Sequence, residues 1–79
     1  MKLTPAQRRA FDERTDNCRK TNTVTAAPST IDSLRRLGLV GRTTERFALK
    51  EQAPHGRWFN RQFVTAELTP EGQKLDAYA

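Results

Sequence analysis

The stretch that most constrains this chain is residues 29–40, Ser-Thr-Ile-Asp-Ser-Leu-Arg-Arg-Leu-Gly-Leu-Val. Ser29 or Thr30 is a helix N-cap candidate, and Gly38 is the residue type that most easily takes the left-handed conformation at a helix C-terminus. Apolar residues recur three positions apart, at Ile31, Leu34 and Leu37. This spacing predicts a short helix over 29–38 with one buried face, followed by an extended segment.

The other face of this helix is small, polar and partly cationic. It carries Ser29, Asp32, Ser33 and Arg36, with Arg35 at its flank. A guanidinium group can donate two hydrogen bonds to the edge of one guanine, and hydroxyl groups can reach base edges or phosphate. The helix is therefore suited to a DNA groove. A plain surface helix with a solvated charged face has the same pattern, and the sequence leaves both interpretations open.

The charge of the chain favours an anionic partner. Its 79 residues carry fourteen Lys and Arg against nine Asp and Glu, a net charge of +5, and the pI is about 10.2. Residues 1–62 hold thirteen basic and six acidic residues, or +7, whereas residues 63–79 hold one and three, or −2. We therefore expect an anionic partner, or at least a compartment rich in nucleic acid, and we do not expect the C-terminal segment to meet the anion.

Length and composition exclude several classes of protein. A chain this short predicts a single domain, 1–79, with a small core. One cysteine, Cys18, and one histidine, His55, cannot form a disulfide or a Cys/His metal set, so we expect neither metal nor cofactor. Without an apolar signal or membrane-length segment, a cytoplasmic protein is expected. Catalysis is not expected, because a nucleophile at Ser29, Ser33 or Cys18 would need a base beside it, and the sole histidine lies in the predicted hairpin turn.

Two Thr-Pro dipeptides mark helix starts near the two ends of the chain. Thr4 is a predicted N-cap, Pro5 suits the first helical position and Gln7 completes a capping box, so a helix is predicted to run to about Cys18. Its predicted inward residues are Leu3, Ala6, Ala10, Phe11 and Cys18. Thr69-Pro70 predicts a last helix in the same way, packing through Leu75 and Tyr78.

β-branched and aromatic residues predict the strands. Residues 23–26 form a short strand after a turn, and Pro54-His55-Gly56 separates the two arms of a hairpin. A register with Phe47 opposite Phe63 brings Leu49 and Phe59 to the same face, which we expect to lie against the helices.

The order of these elements resembles a winged-helix DNA-binding domain. Arg-Arg-Leu-Gly-Leu-Val at 35–40 and Leu-Thr-Pro-Glu-Gly at 68–72 are similar to MarR-type regulators. The opening Leu-Thr-Pro-Ala-Gln-Arg-Arg is closer to the small stand-alone winged-helix proteins of actinobacteria and their phages. The resemblance implies an α+β winged helix of three short helices and a hairpin wing over 46–63. The middle helix of the usual helix-turn-helix is reduced or absent, because residues 21–28 are too few and too β-prone.

The resemblance also implies a function, as a small bacterial or phage transcriptional regulator that binds double-stranded DNA. Its groove readers would be Ser29, Thr30, Ser33 and Arg36, flanked by Arg35. Its wing residues would be Lys50, His55, Arg57 and Arg61. Arg8 and Arg9 would add phosphate contacts. The oligomeric state is left open.

The alternative function is a protein-interaction module in which a winged helix binds a host or partner protein. Trp58 and Phe59 would be its anchors, because tryptophan and arginine dominate interface hot spots. The same two rings could also be structural, one in the core and one covering the hairpin. Asp32 opposes phosphate binding unless it pairs with Arg35 or Arg36.

Overall fold

The computed structural model describes residues 2–77, an α+β fold of four helices and one three-stranded antiparallel sheet. The helices are α1 (Pro5–Asp12), α2 (Asp16–Thr21), α3 (Pro28–Arg36) and α4 (Pro70–Ala77). The strands are β1 (Thr23–Ala26), β2 (Val40–Gln52) and β3 (Trp58–Leu68), in the sheet order β1-β3-β2. The predicted α+β class is confirmed, and the described residues contain one helix more than expected.

The extra helix arises because the first predicted helix is divided in two. α1 begins as predicted, with the Gln7 amide donating to the Thr4 hydroxyl and the Thr4 amide donating to the Gln7 side chain. The hydroxyl of Thr15 accepts a hydrogen bond from the Cys18 amide at 3.1 Å and so caps a second helix. The prediction of one helix to Cys18, followed by a turn, is wrong because Thr15 is an internal N-cap.

α3 begins earlier than predicted. Ala27 is its N-cap residue and Pro28 its first helical residue, so Ser29 and Thr30 lie in the first turn rather than at the cap. The physical reason is the fixed φ of proline, which suits the first helical position. Pro5 and Pro70 follow the same preference.

The C-terminus of α3 is as predicted. Gly38 has φ of 77° and donates to the Arg35 carbonyl at 3.0 Å, and Leu39 donates to the Leu34 carbonyl at 3.0 Å. These two bonds form a Schellman motif. Leu37 is 39% exposed, because the helix has already ended, so the buried face is narrower than predicted.

The register of the hairpin is confirmed. Phe47 pairs with Phe63, and the neighbouring pairs put Leu49 and Phe59 on the same face. Successive side chains alternate between faces, so Val64, next to Phe63, points to the other face and into the core. The aromatic face therefore lies on the side of the sheet that carries α2, whose residues line a groove together with Phe47, and not on the side of the core.

The core lies between one face of the sheet and helices α1 and α3. Its members are Ala10, Phe11, Val24, Ile31, Leu34, Leu39, Val40, Val64, Ala66 and Leu68. Ala6, predicted to face inward, is exposed, and Leu3 is only partly buried. Cys18 is buried on α2, which lies on the opposite face of the sheet, with its Sγ 3.5 Å from Thr25 Oγ1.

α4 closes the base of the sheet, and the hairpin projects from the opposite end. The Gly72 amide donates to the Thr69 hydroxyl at 3.2 Å, as the predicted cap requires, and Leu75 packs on the core. Tyr78, the other predicted packing residue, lies outside the described residues.

The long hairpin makes the molecule 41 Å by 24 Å by 22 Å. Within residues 2–77, every helix is too short or too polar to span a bilayer.

Candidate nucleic-acid interface

Arg35 fastens α3 to β2. Its guanidinium donates to Asp32 Oδ1 at 3.0 Å, to Thr43 Oγ1 at 2.9 Å and to the Gly41 carbonyl at 3.2 Å. The pairing neutralises the one carboxylate on the exposed face of α3. Arg35, expected among the DNA contacts, is therefore engaged within the protein.

Ser33 is also engaged. Its hydroxyl donates to the Thr30 carbonyl at 2.8 Å and accepts a hydrogen bond from Gln7 Nε2 at 3.0 Å. This contact joins α3 to α1. Ser33, expected among the groove readers, therefore uses both hydrogen-bonding functions of its hydroxyl within the protein.

Ser29 and Arg36 remain on the exposed face of α3. Among residues 2–77 the structure gives the Arg36 guanidinium no hydrogen bond or ion pair. The first-turn amides of α3 have no side-chain cap, because Ala27 offers no acceptor. Such amides and the helix dipole favour an anion at this end.

A groove of about 240 Å³ between α1, the start of α3 and β3 brings together three of the predicted site residues, Arg9, Thr30 and Arg61. Glu13 lines the same groove, 3.9 Å from Arg9 Nε. Arg61 donates to Glu51 Oε2 at 3.2 Å. Each cation of the groove therefore has a carboxylate neighbour, and Arg61 is not an unpaired wing cation. Arg8 lies on the exposed side of α1.

The hairpin tip exposes the predicted basic residues. Ala53 donates to the Arg57 carbonyl at 2.9 Å, and Gly56, with φ of 91°, donates to the Ala53 carbonyl at 2.8 Å. Lys50, His55 and Arg57 are all exposed, as predicted. His55 Nδ1 accepts a hydrogen bond from the Arg57 amide at 3.3 Å.

The outer part of the hairpin has two chemically different faces, because its residues alternate between them. The cationic face consists of Arg46, Ala48, Lys50, Gln52, Trp58, Asn60 and Gln62. The apolar face consists of Phe47, Leu49, Glu51, Phe59, Arg61 and Phe63. The cationic face continues the side of β3 that carries Val64, so it lies on the same side of the sheet as α3. It has two cations and no carboxylate.

Trp58 and Phe59 are exposed by 63% and 46%. The interpretation of one ring as core is wrong, because the hairpin extends past the helices that would have covered it. The two rings are adjacent in sequence and lie on opposite faces. They therefore cannot form the single partner-binding patch that the sequence suggested.

Arg46 is a member of the cationic face that the sequence reasoning missed. It pairs with Val64, and Lys50 follows four residues later on the same side. The signal was present in the sequence, since Arg46, Ala48 and Lys50 alternate with Phe47 and Leu49.

A second, open groove of about 670 Å³ lies between α2 and β2 on the face opposite α3. Threonines 23, 25 and 65 line it, together with Cys18. Burial raises the pKa of the Cys18 thiol, but hydrogen bonds with Thr15, Thr25 and Thr23 outweigh burial and bring its pKa below the ordinary value. Residues 2–77 hold no cluster of three or more metal-ligating side chains.

Comparisons with known proteins add no relative. A scan against protein-family models, a search of curated proteins and a search of solved structures each gave no match.

Proposed function

We propose that this chain binds double-stranded DNA as a small bacterial or phage regulator of the winged-helix type. α3 faces the major groove, and the cationic face of the hairpin is the wing, which contacts the adjacent backbone. The observation that carries the proposal is that α3 and the cationic face share one side of the sheet.

The charges on this side suit the two roles. Arg35 neutralises Asp32, so the exposed face of α3 presents Ser29 and Arg36 without a competing anion. Arg36 can fork onto a guanine edge. Arg46, Lys50 and Arg57 supply phosphate contacts, which position the protein and provide most of the affinity.

A fluorescence-anisotropy titration across a salt series tests the proposal. Three phosphate contacts at about −0.9 each give an expected slope of about −3 for log K against log salt, with binding at micromolar concentrations. No binding to random duplex or sheared genomic DNA at low salt would overturn the proposal.

Lys50→Ala tests the cationic face in the same titration, and Lys20→Ala is its matched control. Lys20 is exposed on α2, on the other side of the sheet from the proposed interface. Lys20→Ala removes one positive charge, as Lys50→Ala does, but it removes no proposed phosphate contact. We expect Lys50→Ala to reduce affinity and salt slope, and Lys20→Ala to leave the slope unchanged. Equal effects of the two changes would show that net charge alone, and not the cationic face, is responsible.

A protein-interaction module is the second candidate function. The exposure of Leu49, at 53%, and of Phe59 on the apolar face favours it, because large apolar side chains at the surface mark binding surfaces. DNA binding that survives Phe59→Ser but not Lys50→Ala would assign the nucleic-acid role to the cationic face alone.

A further inference from the structure

We propose that the apolar face of the hairpin is the contact between two copies of this chain. Leu49 and Phe59 are exposed on this face beside Phe47 and Phe63, whose rings stack with centroids 5.4 Å apart. The other two of the six residues, Glu51 and Arg61, form an ion pair among these four apolar side chains.

The distribution of charge favours a second copy of this chain as the partner that covers the apolar face. The chain carries a net charge of +5, so two copies repel each other overall. The apolar face has no net charge, because it holds one cation and one anion, and Arg61 also lies 5.8 Å from the Phe63 ring. A two-fold interface must be complementary to itself. A two-fold axis can place Glu51 of each copy against Arg61 of the other.

The arrangement leaves the opposite face of each hairpin uncovered. Trp58, Arg46 and Lys50 therefore stay on the outside of the pair. Two copies joined in this way present two cationic faces that point away from each other.

The size of the apolar face sets the strength of the contact. Six residues from each copy are fewer than the roughly 20 to 30 a side of a standard interface. The dimer is therefore expected to be weak, and its population should depend on protein concentration. Sedimentation equilibrium from about ten micromolar to about one millimolar covers that range. We expect the average mass to rise from 9.0 kDa toward twice that value.

Two charge variants identify the face. Arg61→Glu gives the face two anions and Glu51→Arg gives it two cations, so each variant alone should remain monomeric. An equimolar mixture of the two should associate. The ion pair within each chain is broken in both variants, so association on mixing reports a contact between copies. Circular dichroism of each variant checks that both are folded.

Trp58→Ala, on the other face, should leave association unchanged. A constant mass of 9.0 kDa for the native protein up to the highest concentration would overturn the proposal. A mixture that stays monomeric while the native protein associates would overturn the assignment to this face. The measurements contain no DNA, so their outcome is independent of the proposed function.

Discussion

The carbonyl oxygen of Leu39 occupies the space where a β-carbon of Gly72 would lie. The same carbonyl accepts a hydrogen bond from the Thr69 amide at 3.0 Å, so it holds α4 against the end of α3. The glycine of the Leu-Thr-Pro-Glu-Gly segment is thus required for close packing of backbone on backbone. Neither a turn nor a left-handed conformation explains it, because Gly72 lies inside α4.

Gly72→Ala is expected to destabilise the protein by about 2 kcal/mol, because a clash with a backbone oxygen lies at the upper end of the cost of overpacking. Overpacking costs about 1 to 3 kcal/mol, and the higher helix propensity of alanine offsets about 1 kcal/mol of it. Urea denaturation measures the free energy of unfolding. Gly41→Ala is the control, because a β-carbon there would meet only the Thr69 methyl, at 3.9 Å. Equal stabilities of the two variants would contradict the packing role of Gly72.

The hydrogen bond between Gln7 and Ser33 should appear as a coupling between α1 and α3. A double-mutant cycle with Gln7→Ala and Ser33→Ala is expected to give a coupling free energy of about 0.5 to 1.5 kcal/mol. The side chain of Gln7 also belongs to the capping box, and the cycle separates that role from the bond to Ser33. A coupling near zero would mean that this bond does not link the helices in solution.

Arg36 and Arg35 are adjacent and should respond differently to replacement by alanine. Arg36→Ala is expected to reduce discrimination between DNA sequences by roughly 1 to 3 kcal/mol without changing the unfolding free energy. Arg35→Ala should lower stability, because three hydrogen bonds to Asp32, Thr43 and Gly41 are lost. Binding to a duplex obtained by in vitro selection, and to single-base variants of it, gives the discrimination. The reverse pattern would show that Arg35 is the reader.

Arg57→Ala is expected to weaken binding to all DNA sequences alike. A phosphate contact carries no sequence information, and its loss should reduce the magnitude of the salt slope by about one. The measurement is the anisotropy titration repeated at several salt concentrations. If Arg57→Ala and Arg36→Ala had indistinguishable effects, α3 would read no base.

Cys18 should make stability depend on pH in the alkaline range. Its pKa is lowered in the folded state, so folding favours the thiolate. The resulting stabilisation is fully present above the unfolded-state pKa and is lost as pH falls through the folded-state pKa. The unfolding free energy of the native protein, minus that of Cys18→Ala, should therefore rise with pH across that window. If this difference in unfolding free energy did not change with pH, the pKa of the Cys18 thiol would not be shifted by folding.

Local signals in the sequence were sufficient for most of the element boundaries. Thr4 with Gln7, Gly38 and the Phe47–Phe63 register act over a few residues or across one hairpin, so their chemistry is visible before the fold is known. Thr15 shows the limit. A threonine inside a helical pattern is also compatible with a continuous helix, so the sequence alone does not distinguish an internal residue from the N-cap that Thr15 becomes.

The residues of the candidate site were less predictable from the sequence. Their availability depends on which polar side chains form hydrogen bonds or ion pairs within the protein. Ser33 and Arg35 look like exposed polar residues of α3, and their partners Gln7 and Thr43 lie on other elements. Arg61 is paired through a diagonal cross-strand contact that requires the hairpin register. The positions of Ser29, Arg36, Lys50 and Arg57 at the surface were foreseeable, since they need no partner.

The division of the hairpin into two faces has a consequence for how the chain tolerates changes of length. Side-chain direction alternates with a period of two, so inserting or deleting one residue between positions 46 and 52 exchanges the faces of every residue beyond that point on β2. Lys50 would then lie among the rings, and Glu51 would lie on the cationic face. Point substitutions can tune either surface separately, whereas a change of length in either arm alters both at once.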